Sequence, residues 1–174
     1  MTDLEVLLED SKVLTNIYFG QGIPIKEGGI SSGNHTEADM DALAAYGFDS
    51  IASIKEKTKE VFSSSMCKWL YERAFTGFKT DTTMQRARYY EDKDGRIMVK
   101  TDAEVYQNGA ITYDLTTAKI VKRHKKQVTL TMQATVVTPG GLSRSDEIEV
   151  VAVKTADGWR LDSPTYFVYY SEEN

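Results

Sequence analysis

Gln127-Val128-Thr129-Leu130-Thr131-Met132-Gln133-Ala134-Thr135-Val136-Val137-Thr138 alternates apolar side chains at 128, 130, 132, 134 and 136 with polar ones at 129, 131, 133 and 135. Successive residues of a strand point to opposite faces, so this stretch predicts a strand with one face on a core and the other in water. Its neighbours extend the pattern. Residues 119–124 predict a strand before it and 145–154 one after it, with Pro139-Gly140-Gly141 turning the chain between the last two. Thr155-Ala156-Asp157-Gly158 turns again into a strand over 159–169. Upstream, residues 85–91 and 96–101 flank Asp92-Lys93-Asp94-Gly95, a hairpin signal with glycine where a positive φ is needed.

The first half has a different period. Thr2-Asp3-Leu4-Glu5 has the form of a capping box, and Leu4, Leu7, Leu8, Ser11, Leu14 and Tyr18 then follow at helical spacing, predicting a helix over Asp3–Phe19. Glycines at 20, 22, 28, 29 and 33 end it and open a long loop over 20–34, of the length that is usually functional or mobile. Thr36-Glu37-Ala38-Asp39 signals a second helix over 38–46, stopped by Gly47. Ser53-Ile54-Lys55-Glu56 signals a third over 54–62. After the serine run 63–65, helical spacing resumes over 66–75 and Gly77 closes it. The expected fold is α+β: N-terminal helices packed on a curved C-terminal antiparallel meander, in one domain spanning 1–174. A sheet curled over helices leaves a concavity, where ligands often sit.

Composition narrows the function. A net charge of -5 excludes a general nucleic-acid-binding role, since phosphate recognition needs a basic face. Lys119, Lys122, Arg123, Lys125 and Lys126 form a local exception, expected to be a solvated hairpin end or a docking patch for an acidic surface. Cys67 is the only cysteine, which precludes an intrachain disulfide and fits a cytosolic or a Gram-positive exported protein equally. No apolar run approaches the roughly 20 residues of a membrane span, and the N-terminus lacks the regions of a signal peptide.

No catalytic motif emerges, so neither a catalytic residue nor a cofactor is expected. Cys67 lacks an evident base, with only His35 and His124 available, and reads as a small core residue. His35, Glu37 and Asp39 match no defined metal spacing, and the acidic pair suits a helix N-terminus. Asp92, Asp94 and Gly95 form a turn and lack the rest of a calcium loop. Asp146, Glu147 and Glu149 alternate on a strand, with at least two toward solvent. The aromatic residues are more informative. Ten tyrosines is a high number for 174 residues, and tyrosine serves both cores and binding surfaces. Trp69, Tyr71, Tyr89, Tyr90, Tyr106, Tyr113, Trp159, Tyr166, Phe167, Tyr169 and Tyr170 are divided between these two roles.

Ala156-Asp157-Gly158-Trp159-Arg160-Leu161-Asp162-Ser163-Pro164-Thr165-Tyr166 resembles the last strand of nuclear-transport-factor-like, cystatin-like cone domains. More widely, the opening helix with Tyr18-Phe19, the helix ending at Phe62, the segment 66–74, the hairpin Tyr90-Glu91-Asp92-Lys93-Asp94-Gly95 and the end Gly158-Trp159-Arg160 resemble the IseA family. That family comprises secreted bacterial inhibitors of cell-wall DL-endopeptidases and related exported Firmicute proteins. The resemblance implies export and binding over the groove of a papain-like cysteine peptidase, with no chemistry of its own. It carries over no inhibitory loop residue by residue.

The expectation is a non-enzymatic domain that binds a protein or cell-wall partner, with Tyr18, Phe19, Gly22, Tyr90 and Tyr166 as candidate contacts and the 20–34 loop as the site. The alternative is a small-molecule carrier or enzyme using the concavity, in which Tyr18, Tyr90 and Tyr166 would have to converge. A third reading, a domain that dimerises through its sheet, leaves the oligomeric state open.

Overall fold

A computed structural model describes residues 3–79, 83–103, 105, 110–138 and 140–167. Helix α1 is Asp3–Phe19, as the leucine spacing predicts, and Leu8, Leu14 and Ile17 on one stripe are fully buried. A short hairpin follows, β1 (Ser31–Ser32) and β2 (His35–Glu37). Helices α2 (Met40–Ala45), α3 (Ile51–Val61) and α4 (Ser64–Tyr71) come next, and a π-helical turn over Glu72–Thr76 ends at Gly77. Strands β3 (Phe78–Lys79) and β4 (Met84–Gln85) pair with each other, and β5 (Tyr89–Glu91) turns through Gly95 into β6 (Ile97–Lys100). The meander is β7 (Ala110–His124), β8 (Gln127–Val137), β9 (Ser143–Thr155) and β10 (Gly158–Leu161).

Among the described residues the named strands pair antiparallel with one another, and the meander runs β10-β9-β8-β7, each strand beside its sequence neighbour. This is the α+β arrangement that the alternation at 127–138 predicts. Met132, Ala134 and Val136 from β8, Val150 from β9 and Leu161 from β10 share one core with Leu14, Ile17, Ile54, Val61 and Leu70 from the helices. Two ties close the molecule. Phe62 bridges Leu161, and the Ser63 amide donates to the Leu161 carbonyl at 2.8 Å, so β10 ends where α3 passes to α4. The hydroxyls of Ser63 and Ser65 both donate to the Asp162 carboxylate there. The second tie is a buried relay. Thr15 Oγ1 donates to the Thr165 carbonyl, Thr165 Oγ1 to Ser11 Oγ, and Ser11 Oγ to the Leu8 carbonyl, which leaves each hydroxyl paired.

Several predicted boundaries are corrected. The N-cap of α3 is Ser50, whose side chain and that of Ser53 form a reciprocal box; Ser53 lies one turn inside the helix. Thr36 and Glu37 belong to β2, Ala38 bridges Ile25, and Asp39 caps α2, so that helix is shorter than 38–46. Helix α4 starts earlier, at Ser64, capped by Ser63, and passes after Tyr71 into the π-helical turn that Gly77 closes, as the sequence predicts. The run 85–91 is broken: Met84–Gln85 pairs with β3, and only Tyr89–Glu91 pairs with β6. Strand β7 starts at Ala110, because bulges after Asp114 and Ile120 carry pairing through a stretch with no clean alternation. The last strand stops at Leu161, where Asp162 turns to the serines and the chain leaves the sheet. The 20–34 segment also differs from an open loop, as its geometry below shows. Thr2, Tyr106, Pro139, Tyr169 and Tyr170 lie outside the described residues.

Candidate functional site

The chain leaves α1 through a buried clamp. Arg88 donates from Nη1 to the Tyr18 carbonyl at 3.0 Å and from Nη2 to the Gly20 carbonyl at 2.6 Å. Tyr89 donates its hydroxyl to the Ile17 carbonyl at 2.7 Å and accepts the Ile23 amide at 3.2 Å. The Ile17 and Tyr18 carbonyls are among those a helix C-terminus leaves without partners, and its partial negative charge favours the guanidinium. Both side chains are buried, and burial pushes the Tyr89 hydroxyl pKa up, so it stays a neutral donor. Gly22 passes so close that a Cβ there would lie 2.3 Å from Tyr89 Oη and 2.6 Å from Arg88 Nη2, at a φ of 77°.

Beyond the clamp, residues 24–33 form a lobe held from within. The Lys26 amide donates to the Glu37 carbonyl at 2.8 Å, the Glu37 amide to the Ile30 carbonyl at 2.9 Å and the Asp39 amide to the Pro24 carbonyl at 2.8 Å. The Glu37 carboxylate receives Lys26 Nζ at 3.0 Å on one oxygen and the Ile30 amide at 3.2 Å on the other. Ser31 and Thr36 join their hydroxyls across β1 and β2 at 3.0 Å. The expected mobile loop is therefore a shaped projection. It presents Ile25 and Ile30, each 50% exposed, to solvent. Isoleucines left out of the core on a pre-ordered lobe suit a contact with another macromolecule.

Glu37 makes the lobe acid-sensitive. The hydrogen bond from Lys26 first, and that from the Ile30 amide second, hold its carboxyl below the ordinary glutamate range. A depressed folded-state pKa contributes stability above the unfolded value, and that stability is lost as pH falls through the folded value. Intrinsic-rate-corrected hydrogen exchange of the Ile30 amide is therefore expected to accelerate as pH drops below about 4, and Glu37→Gln should raise it at neutral pH. Protection that stays flat between pH 6 and 3, a window of about three units around the glutamate range, would remove Glu37 as the lobe's fastener.

Beside the lobe lies a groove of about 270 Å³ lined by Ser32, Gly33, His35, Arg86, Ala87 and Tyr90. His35, just past the glycine-rich stretch 20–34, is a buried strand residue. Its Nε2 lies 3.0 Å from the Ala87 carbonyl, which can only accept, so Nε2 carries the proton. Its ring meets Tyr90 edge-on at 4.9 Å. A second groove, of about 440 Å³, opens on the inner side of the meander between Ile111, Tyr113, Val136, Asp146, Ile148, Pro164 and Phe167. Asp146 there is paired with Arg144 Nε at 2.8 Å, and the exposed Glu147 and Glu149 also border the groove.

The five sequence-predicted contacts do not gather at one place. The Tyr18 hydroxyl is buried against Thr58 Oγ1 at 2.8 Å, and burial raises its pKa far above the usual tyrosine range. Phe19 is packed between Trp69 and Phe167. Gly22 lies under the clamp, and Tyr90 alone of the five borders the groove beside the lobe. Tyr166 is buried against Tyr113, ring centres 4.4 Å apart, with its amide donating to the Tyr113 hydroxyl, whose pKa burial pushes up to about 12. Tyr18, Tyr90 and Tyr166 thus face different neighbours. Cys67 is buried, and burial pushes its thiol pKa up, away from a reactive thiolate. Among the described residues, no group of three His, Cys, Asp or Glu is placed to hold a metal, and no helix is long and apolar enough to cross a membrane.

Sequence reasoning missed Ile25 and Ile30, two isoleucines in a stretch otherwise rich in glycine and polar residues. It also missed Arg88, one of two arginines, with Arg86, on the same side of the predicted strand over 85–91. No protein-family model and no curated protein matches the chain.

Proposed function

We propose that the chain is a non-enzymatic binding domain that engages a protein partner through the 24–33 lobe and the His35–Tyr90 side of the four-stranded sheet β1-β2-β6-β5. The observation that carries this reading is the pair of exposed isoleucines on a lobe whose backbone is already fixed. Little ordering entropy remains to be lost on binding, and buried aliphatic anchors contribute most when they are rigid. The resemblance to IseA-type inhibitors supplies the partner class: the catalytic groove of a papain-like cell-wall DL-endopeptidase, met outside the cytoplasm of a bacterium.

Titration of the purified domain into such an enzyme, with peptidoglycan hydrolysis as readout, tests it. Activity should fall at a near-stoichiometric dose, and Ile30→Asp should raise the required dose by about 30-fold or more while leaving the far-ultraviolet spectrum unchanged. Full activity at large excess would sink the inhibitor assignment. Equal potency of the variant would move the contact away from the lobe. The groove of about 440 Å³ supports a second reading, a small-molecule site over the meander, and a thermal-shift screen addresses it directly.

A further inference from the structure

The far end of the β7–β8 hairpin is amphiphilic. Lys119, Lys122, Arg123, Lys125 and Lys126 fall within 119–126 with no acidic residue among them, in a chain whose net charge is -5. The remainder of the chain is therefore more acidic than the whole. Every residue from 119 to 127 is exposed, and among the described residues none of the five cations forms an ion pair. Ile120 and Val121, 50% and 57% exposed, sit within the same run.

The register decides what such a surface fits. Lys119 pairs with Thr131 and Lys122 with Thr129 on the outer face, whereas Ile120 pairs with Leu130 and Arg123 with Val128 on the inner one. Val121 is the extra residue of a bulge. Cations therefore occur on both faces of β7, the edge strand of the sheet, with Ile120 on the inner face and Val121 at the bulge between them. A flat partner laid on one face would miss half of them. A plane meeting the strand edge-on is within reach of both faces, because long lysine and arginine side chains can bend toward it while their stems stay on the strand. Pairing with the same edge of a second copy is opposed by the bulge and by like charge. Edge lysines alone would achieve that protection, but they do not account for the two aliphatic side chains beside them.

We propose that this edge docks the protein on an anionic lipid bilayer, with Lys119, Lys122, Arg123, Lys125 and Lys126 at the headgroup phosphates and Ile120 and Val121 at the acyl boundary. Phosphate and hydrocarbon at one surface match both components, whereas an acidic peptide or a nucleic acid matches only the charge. The acidic remainder of the molecule orients it with this edge toward the membrane. The assignment is independent of the lobe and its partner.

Co-sedimentation with vesicles tests it. The intact chain should bind phosphatidylcholine–phosphatidylglycerol vesicles, release with added salt, and leave phosphatidylcholine vesicles unbound. Lys122→Glu with Arg123→Glu should weaken binding by more than about 30-fold, at roughly a decade or somewhat less per cation. Ile120→Ser with Val121→Ser should also weaken it, by about tenfold, whereas a purely electrostatic contact would be unchanged. All four positions are exposed, so each variant should keep the parent's melting temperature, and a variant that does not is replaced by Lys125→Glu with Lys126→Glu. Absence of binding, equal binding to both vesicle types, insensitivity to charge reversal, or stronger capture by duplex DNA or an acidic peptide would each overturn the proposal.

Discussion

Gly22→Ala is expected to cost about 4 kcal/mol of folding stability, from a left-handed backbone strain of about 1–2 kcal/mol and the loss of buried hydrogen bonds worth about 1–3 kcal/mol. The added Cβ would sit 2.3 Å from Tyr89 Oη and 2.6 Å from Arg88 Nη2. Neither group can retreat freely, because each is already bonded to carbonyls at the end of α1. Displacing them leaves buried polar groups without partners, the costlier outcome for a hydrogen bond. Gly33→Ala is the control. It shares the positive φ, but nothing lies within 4 Å of its Cβ, so only the backbone term of about 1–2 kcal/mol applies. Urea unfolding of the two variants separates the effects. Equal losses would show that the clamp yields, and a Gly22→Ala protein of wild-type stability that fails to bind its partner would make Gly22 a contact residue instead.

The clamp also shows where sequence reasoning loses its grip. Helix α1 was legible to the residue because its apolar spacing and its glycine stop are local signals. Strand β8 was legible because alternation over many residues has only one structural reading. Strand β7 was not, since its two bulges shift the side-chain phase and erase the alternation that would reveal it. The N-cap of α3 was misplaced by one turn for a related reason: Ser50 and Ser53 both look like caps, and which one caps depends on where Phe48 and Ile51 are buried. These are contests between local signals that tertiary packing decides.

The lobe had the same kind of ambiguity on a larger scale. Five glycines between 20 and 34 suggested freedom. The hydrogen bonds that remove this freedom come from Glu37 and Asp39, which sequence reasoning assigned to a helix start, and from Arg88 and Tyr89, more than 60 residues away in the chain. A carboxylate at a helix N-terminus and one that fastens a loop are the same residue type in a sequence. Glu37 proves to be the fastener because Ala38 bridges Ile25, which brings the lobe within reach of its side chain. The exposure of Ile25 and Ile30 follows from that fastening, so no composition-based argument could have singled them out.

Phe19→Ala is expected to destabilise the protein by about 4 kcal/mol, in the range of large-to-small aromatic truncations that leave a cavity. Phe19 was an expected partner contact, named with Tyr18 in the opening helix that carries the resemblance. Its ring instead lies 5.2 Å from Trp69 and 4.9 Å from Phe167, and only 5% of the residue is exposed. The three rings join α1, α4 and the segment after β10, so the truncation removes packing from three elements at once, including aromatic pair terms of about 0.5–1.5 kcal/mol each. The neighbouring helix end cannot collapse into the space, because Arg88 and Tyr89 hold the carbonyls of Ile17, Tyr18 and Gly20 in place. Phe19→Leu should recover roughly half of the loss by refilling part of the volume. Chemical unfolding and partner titration on the same variants distinguish packing from contact. A packing role predicts a lower unfolding midpoint for Phe19→Ala with affinity retained wherever the protein is still folded. Unchanged stability with lost affinity would return Phe19 to the surface and place the partner at the end of α1, away from the lobe.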